Sequence, residues 1–145
     1  MRNLTLSYPH QAMKLHLTQA AGNHLITGYG EGWVEINASR YQHSLIVLPA
    51  LLVTDWQAAS FDDLAEAHFE RIAQLAPEIV LLGTGASHRF AHPRLYRALT
   101  EANIGVECMD TTAACRTYNF LMAEGRHVAA ALIIESQAPQ TKASP

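Results

Sequence analysis

An unbroken aliphatic run in the middle of the chain constrains the fold more than any other feature. Residues 79–82 read Ile-Val-Leu-Leu, and Gly-Thr-Gly follows at 83–85. A strand with one face in water alternates apolar and polar residues, whereas a strand in a parallel sheet covered on both faces reads as a continuous apolar run. Helices are needed to cover such a sheet. The run therefore predicts an α/β fold.

A helical pattern precedes this strand. Ser60 and Asp63 resemble a helix-capping arrangement, with the carboxylate in the first turn. Apolar residues at helical spacing follow until Pro77, where a helix has to end. The pattern predicts a helix that begins at Ser60.

Two further helices are predicted after the strand. One begins near Pro93 and ends at residues 103–105. The other spans about 112–124, with Asp110 or Thr111 as its cap and Gly125 after its end. Short apolar runs at 106–110 and 127–134 provide strands. The second half therefore reads β-α-β-α-β on a mainly parallel sheet.

The first half is rich in strand patterns. Residues 13–17 alternate like a short strand, and a hairpin is expected around Gly28, Gly30 and Gly32. Strands at 43–49 and 51–54 follow. This half predicts an N-terminal β-meander that extends or covers the sheet, giving a mixed α/β sandwich. We expect one domain over residues 1–134 and a disordered polar tail at 135–145.

The composition excludes several classes of protein. A net charge of −3 over 145 residues gives no basic face for nucleic acid. No apolar stretch reaches the ~20 residues that span a bilayer. The two cysteines form neither a CxxC motif nor a disulfide framework. We expect a cytoplasmic protein, and the low charged fraction of 16% is compatible with an oligomer.

Small and hydroxyl residues follow two neighbouring predicted strands. In an open α/β sheet, ligands bind beyond the carboxyl ends of the strands, and helix starts attract anions. The sequence therefore predicts a cleft for a small anionic ligand between the Gly-Thr-Gly loop and the third helix. The candidate residues are Gly83, Thr84, Gly85, Ser87, Arg89, Thr111, Thr112, Cys115, Arg116 and Asn119.

Two arginines are the most specific members of this set. Side chains on a helix lean toward its N-terminus, so Arg116 could reach the cleft and form a clamp on a carboxylate or phosphate with Arg89. The alternative is structural: Arg116 pairs with Asp110 or Glu107, and the two motifs only tie two turns together.

The remaining reactive side chains support no complete catalytic set. Cys115 lies near a helix start, where a thiol can be activated, but a buried small apolar role is the alternative. His88 and His92 lack further ligands and are not at helical positions, so no metal site is predicted. No cofactor is expected either.

The strings GTGASHRF and DTTAACRTYN together resemble a family of small bacterial and archaeal proteins of unknown function. That family includes mitochondrial NADH:ubiquinone oxidoreductase (complex I) assembly factor 3. The resemblance covers about residues 15–134 and implies a three-layer α/β sandwich around a mixed sheet. It also implies a protein without an established enzymatic activity. The matching residues are Gly83, Thr84, Gly85, Arg89, Phe90, Asp110, Thr111, Ala114, Arg116, Thr117, Tyr118 and Asn119.

Two hypotheses of function follow. The resemblance implies a non-enzymatic assembly or scaffold protein that binds a protein partner, and an exposed apolar patch with Trp33, Tyr41 or Trp56 would favour it. The alternative is a small-molecule binder or enzyme that uses the predicted cleft. Each of the two tryptophans could equally be a core residue.

Overall fold

The computed structural model describes residues 22–136. The strand expected at residues 13–17 lies outside this range, as do residues 137–145 of the expected tail. The first three strands, β1 (Ile26–Gly30), β2 (Trp33–Ile36) and β3 (Ser39–Tyr41), form a small antiparallel sheet. The predicted glycine-rich hairpin is the β1–β2 connection, and Gly32 takes the positive φ of 82° that its turn requires.

A five-stranded mixed sheet forms the centre of the fold. Its strands are β4 (Leu45–Leu48), β5 (Leu51–Val53), β6 (Ile79–Gly83), β7 (Gly105–Met109) and β8 (Val128–Leu132). They lie in the order β5-β4-β8-β6-β7. β6 is parallel to β7 and β8, whereas β4 is antiparallel to β8 and to β5. The predicted parallel strand at 79–82 is confirmed. The strands of the predicted β-meander form two parts: β1–β3 make the small sheet that covers the central sheet, and β4 and β5 extend the central sheet.

Within residues 22–136, three α-helices complete the layers: α1 (Glu66–Ala73), α2 (Arg97–Glu101) and α3 (Thr111–Ala123). α1 and α2 pack on one face of the central sheet, while α3 and the small sheet pack on the other. From β6 to β7 the chain moves across the sheet in one direction, and from β7 to β8 it moves back in the other. Because both connections are expected to be right-handed crossovers, their helices α2 and α3 lie on opposite faces of the sheet. The predicted three-layer α/β sandwich is confirmed.

The central strands send alternate side chains into two cores. Val80 and Leu82 of β6 pack with Phe69 of α1 and Leu99 of α2. Leu81 points the other way and packs with α3 and the small sheet. In β8, three consecutive alanines at 129–131 are fully buried, and their small size allows layers to approach the sheet closely on both faces.

The first helix begins later than its sequence pattern predicts. A 3₁₀ turn covers Phe61–Asp63, and the Ser60 side chain makes no capping hydrogen bond. Leu64 then takes an extended backbone and buries its side chain in the core, so that α1 begins only at Glu66. The cap is the His68 imidazole, whose Nδ1 accepts the Ala65 N–H at 3.0 Å. Burial of Leu64 thus overrides the local capping signal.

Trp33 explains the glycine at position 30 of the hairpin. Its indole lies across the backbone of β1, where a Cβ at Gly30 would come within 2.5 Å of Trp33 Nε1. The guanidinium of Arg40 covers the ring at 3.7 Å. The half-buried Trp33 is therefore packed on its own sheet, and Trp56 is a core residue whose indole N–H donates to the His68 carbonyl at 3.0 Å.

Candidate functional site

The Gly-Thr-Gly loop and the start of α3 meet beyond the carboxyl ends of β6, β7 and β8. The Thr84 N–H donates to the Met109 carbonyl at 2.8 Å, and the Thr111 N–H donates to the Gly85 carbonyl at 2.9 Å. The two motifs therefore form one backbone-bonded unit, as the parallel pairing of β6 and β7 requires.

The Thr111 hydroxyl joins three strand ends. It accepts the Gly85 N–H at 2.8 Å and donates to the carbonyl of Ile133, just after β8, at 2.9 Å. Gly83 lies directly beneath it, since a Cβ there would lie 3.0 Å from both Cα and Oγ1 of Thr111. Close backbone approach thus explains the first glycine of the loop, and a structural tie explains the threonine.

Thr84 closes the loop that follows β6. Its side chain is buried, and its hydroxyl donates to the Ser87 carbonyl at 2.6 Å and accepts the Arg89 N–H at 3.1 Å. Gly85 adopts a φ of 105°, which only glycine enters without strain. These hydroxyl and backbone groups are engaged within the loop, so they are not available to hold a ligand unless the loop opens.

Asp110 caps α3, as one of the two alternatives predicted. Its Oδ1 accepts the Ala113 N–H at 2.8 Å. The carboxylate also lies at the positive end of the helix dipole and offsets part of its charge.

A cleft of about 570 Å³ lies beside this unit, between it and the β1–β2 hairpin. Gly85, Thr111 and Thr112 are the predicted site residues that line it. The other lining residues are Tyr29, Gly30, Glu31, Gly32, Trp33, Ala86, Ile133, Ile134 and Glu135. Among these described residues the charged groups are two carboxylates. The cleft is thus at the predicted edge of the sheet, but its lining charge is acidic.

Neither predicted arginine is among the lining residues of the cleft. Arg89 lies over the ring of Phe61 at 4.1 Å and pairs with Asp62 at 2.9 Å. Arg116 donates through Nη1 to the Tyr29 hydroxyl at 3.4 Å, and this contact raises the pKa of its guanidinium. The two side chains do not form the expected clamp, because Arg89 is held by the turn before α1 and Arg116 by β1.

Cys115 is fully buried between α3 and the central sheet. Loss of hydration raises the pKa of its thiol to about 12, so the thiolate needed for nucleophilic attack is not formed near neutral pH. The structure therefore favours the apolar alternative for this residue. Ser87, also in the predicted set, is exposed and contributes only its carbonyl to the loop.

Asn119 and Tyr118 attach the small sheet to α3. The Asn119 side chain accepts the Ile26 N–H at 3.0 Å and donates to the Ile26 carbonyl at 2.7 Å. It thus bonds both backbone groups of Ile26, in the way that the backbone of a neighbouring strand would. The Tyr118 hydroxyl donates to the His24 carbonyl at 2.7 Å, and burial raises the pKa of this phenol. Asn119 thus belongs to the fold at this position and not to the cleft.

Replacing Asn119 with alanine should lower the free energy of unfolding by about 2 kcal/mol, because both backbone groups of Ile26 lose their partner. Amide exchange at Ile26 should become faster than exchange in the central strands. Thr117→Ala, a half-buried position on the same helix, is the matched control. Equal exchange at Ile26 in Asn119→Ala and the wild type would contradict this role. Denaturant titration and hydrogen exchange measure both effects.

The hairpin side of the cleft was not predicted from the sequence. Tyr29 and Glu31 are more than 50 residues from the Gly-Thr-Gly loop in the chain, and the small sheet brings them to it. The glycine pattern signalled a hairpin, but no local signal indicated which end of the central sheet the hairpin would cover.

The family to which the chain belongs is shown by its sequence. Residues 26–133 match the family described as protein of unknown function (DUF498/DUF598). The chain belongs to this family. The match includes both motifs and the whole central sheet, and it confirms the resemblance identified from GTGASHRF and DTTAACRTYN.

The chain is similar to relatives that carry two different names. The chain is 37% identical over 110 residues to NADH dehydrogenase [ubiquinone] 1 alpha subcomplex assembly factor 3 of Bos taurus, which covers 74% of this chain and 59% of the relative. The chain thus spans about three fifths of that relative. It is also 32% identical over 107 residues to the 13 kDa major membrane protein of Francisella tularensis, covering 72% of this chain and 86% of the relative.

Solved structures show the same fold. A crystal structure of a Bordetella parapertussis protein is 39% identical and superposes with a TM-score of 0.75, covering 80% of this chain and 99% of that one. A Mth938-like domain from Bordetella pertussis is 30% identical with a TM-score of 0.70, covering 92% and 94%. Within residues 22–136, no helix is long and apolar enough to cross a bilayer.

Proposed function

We propose that this protein is a non-enzymatic assembly or interaction factor of the cytoplasm that acts by binding a protein partner. The observation that carries the proposal is the 37% identity to an assembly factor over the α/β domain that contains both motifs. The contacts within those motifs support it, since Thr84, Thr111 and Asn119 all engage groups of the fold itself.

The test is capture of a partner and loss of an assembled complex. The tagged chain, purified from its source organism, should enrich a stoichiometric protein over a tag-only control. Deletion of its gene should reduce the amount of the assembled complex that contains this partner, and the relatives' names make NADH dehydrogenase the first complex to assay. An unchanged set of complexes and no enriched protein would contradict the proposal.

A second candidate is small-molecule binding in the cleft. The cleft volume of about 570 Å³ supports it, because ligand pockets commonly enclose ~300–1,000 Å³ and lie at the carboxyl ends of such strands. The positive end of the α3 dipole favours the small anionic ligand expected from the sequence, whereas Glu31 and Glu135 favour a cationic one.

Thermal denaturation with phosphates, nucleotides, carboxylates and amines distinguishes these ligand classes. A ligand at a hundred times its Kd should stabilise the fold by ~2.7 kcal/mol, which raises Tm by roughly 5–10 °C for a domain of this size. The shift should disappear in Thr112→Trp, whose indole would occupy the cleft. No shift with any member of the panel would remove this candidate.

A further inference from the structure

One exposed face of α3 combines aromatic and cationic side chains. Phe120 is 63% exposed, and the exposed Arg116 precedes it by four residues, so the two are neighbours on the helix surface. Tyr29, 37% exposed on β1, accepts a hydrogen bond from Arg116 at 3.4 Å. We refer to Tyr29, Arg116 and Phe120 as the α3 surface.

Arg116 has no carboxylate within ion-pair distance in the described part of the chain. Arg71, Arg89 and Arg126 each contact a carboxylate, at 2.6, 2.9 and 2.7 Å. Within residues 22–136, Arg116 forms no such ion pair, and its hydrogen-bond partner is the Tyr29 hydroxyl. This contact orients the guanidinium, and the Asp110 carboxylate acts on it at longer range.

The composition of the α3 surface matches that of binding hot spots. Tyrosine and arginine are enriched among the residues that dominate protein–protein affinity, and aromatic residues in general are enriched at interface centres. Arg116, hydrogen-bonded to Tyr29 and one helical turn from Phe120, presents a positive charge next to aromatic side chains. Its complement is a carboxylate that is itself flanked by apolar side chains.

We propose that the α3 surface binds a segment of a protein partner that places an Asp or Glu carboxylate on Arg116 and apolar side chains on Tyr29 and Phe120. This inference rests on the proposed function, because it requires a protein partner. A second copy fits less well, since a two-fold contact centred on this surface would bring two Arg116 side chains together. An anionic lipid surface is disfavoured by the net charge of −3.

Phe90 provides a matched control on another surface. It is 79% exposed, more than Phe120, but the adjacent Arg89 already pairs with Asp62. A partner that only required an exposed ring would therefore use Phe90 at least as readily. A partner that requires an exposed ring beside a cation without an ion pair would use the α3 surface, since the ring under Arg40 is that of the half-buried Trp33.

The experiment compares the wild type with Arg116→Glu, Phe120→Ala and Phe90→Ala. Each tagged chain is used to capture proteins from the source organism, and the affinity for the purified partner is then measured. We expect Arg116→Glu and Phe120→Ala each to weaken binding by about thirtyfold or more, as hot-spot residues do. Phe90→Ala should bind as the wild type does. Circular dichroism confirms that each variant is folded.

A charge exchange makes the test specific. Replacing the partner's contacting carboxylate with arginine should restore binding to Arg116→Glu and weaken binding to the wild type. Equal binding by all variants would overturn the α3 surface and leave the proposed function standing. Failure of the wild type to capture any protein would overturn both. Binding of the wild type to anionic phospholipid vesicles, or a dimer, that is lost in Arg116→Glu would overturn the protein partner in favour of lipid or a second copy.

Discussion

Replacing Thr111 with valine should lower the free energy of unfolding by about 2–4 kcal/mol. The substitution keeps the shape of the side chain but removes the hydroxyl that joins the Gly85 N–H to the Ile133 carbonyl. Gly85 and Ile133 are buried residues whose two hydrogen bonds are partly shielded from water, and each group left unsatisfied costs about 1–3 kcal/mol. Urea denaturation monitored by tryptophan fluorescence measures the loss, since Trp56 is in the core.

The adjacent threonine is the matched control. Thr112 has an exposed side chain in the same helical turn and lines the cleft. Thr112→Val should therefore change stability by no more than about 0.5 kcal/mol. Equal effects of the two substitutions would show that the hydroxyl of Thr111 does not tie the strand ends together. If the motif served chiefly to bind a ligand, Thr111→Val would abolish binding and leave stability nearly unchanged.

Alkylation of Cys115 should be about three orders of magnitude slower at pH 8 than alkylation of an exposed thiol. Only the thiolate reacts, and burial raises the pKa of Cys115 to about 12 whereas an exposed cysteine has a pKa of ~8.5. Iodoacetamide labelling of the Cys108→Ser variant, followed by mass spectrometry, isolates Cys115. Labelling should become rapid when urea unfolds the chain. Rapid labelling of the folded protein would indicate an activated nucleophile instead.

The same thiol makes stability depend on alkaline pH. The unfolded chain releases the Cys115 proton near pH ~8.5, and the folded chain releases it only near 12. Between these values the unfolded state binds fewer protons, so the contribution of Cys115 to the free energy of unfolding is full below pH ~8.5 and decreases as pH rises toward 12. Cys115→Ala should reduce this alkaline slope, which denaturant titrations at pH 8–11 measure.

Several features of the fold were predictable because they depend on neighbouring residues. Val80, Leu81 and Leu82 of the apolar run are buried on the two faces of the sheet as predicted, Asp110 caps α3, and Gly125 follows the end of that helix with a φ of 81°. The predicted beginning of α1 at Ser60 was wrong because the Leu64 side chain is buried in the core. The free energy gained by burying Leu64 comes from tertiary packing, which the local sequence does not show.

The candidate site was likewise predictable in part. Its position at the ends of two parallel strands followed from the order of apolar and helical patterns, because parallel strands direct their carboxyl ends to one edge. The role of each side chain in the site could not be predicted from that order. A hydroxyl can bind a ligand or a backbone group. Only the position of β8 beside the loop shows that the Thr111 hydroxyl donates to the Ile133 carbonyl. The arginines could be assigned only when Asp62 and Tyr29 appeared beside them.

The sequence by itself determined the α/β class, the parallel centre, the cap of α3 and the family, since these depend on spacing and residue type along the chain. The tertiary structure alone decided which groups of the motifs form hydrogen bonds within the fold and which remain on the surface. Partners such as Asn119 and Ile26 are 93 residues apart. Their contact depends on how three layers pack, and no local pattern encodes that arrangement.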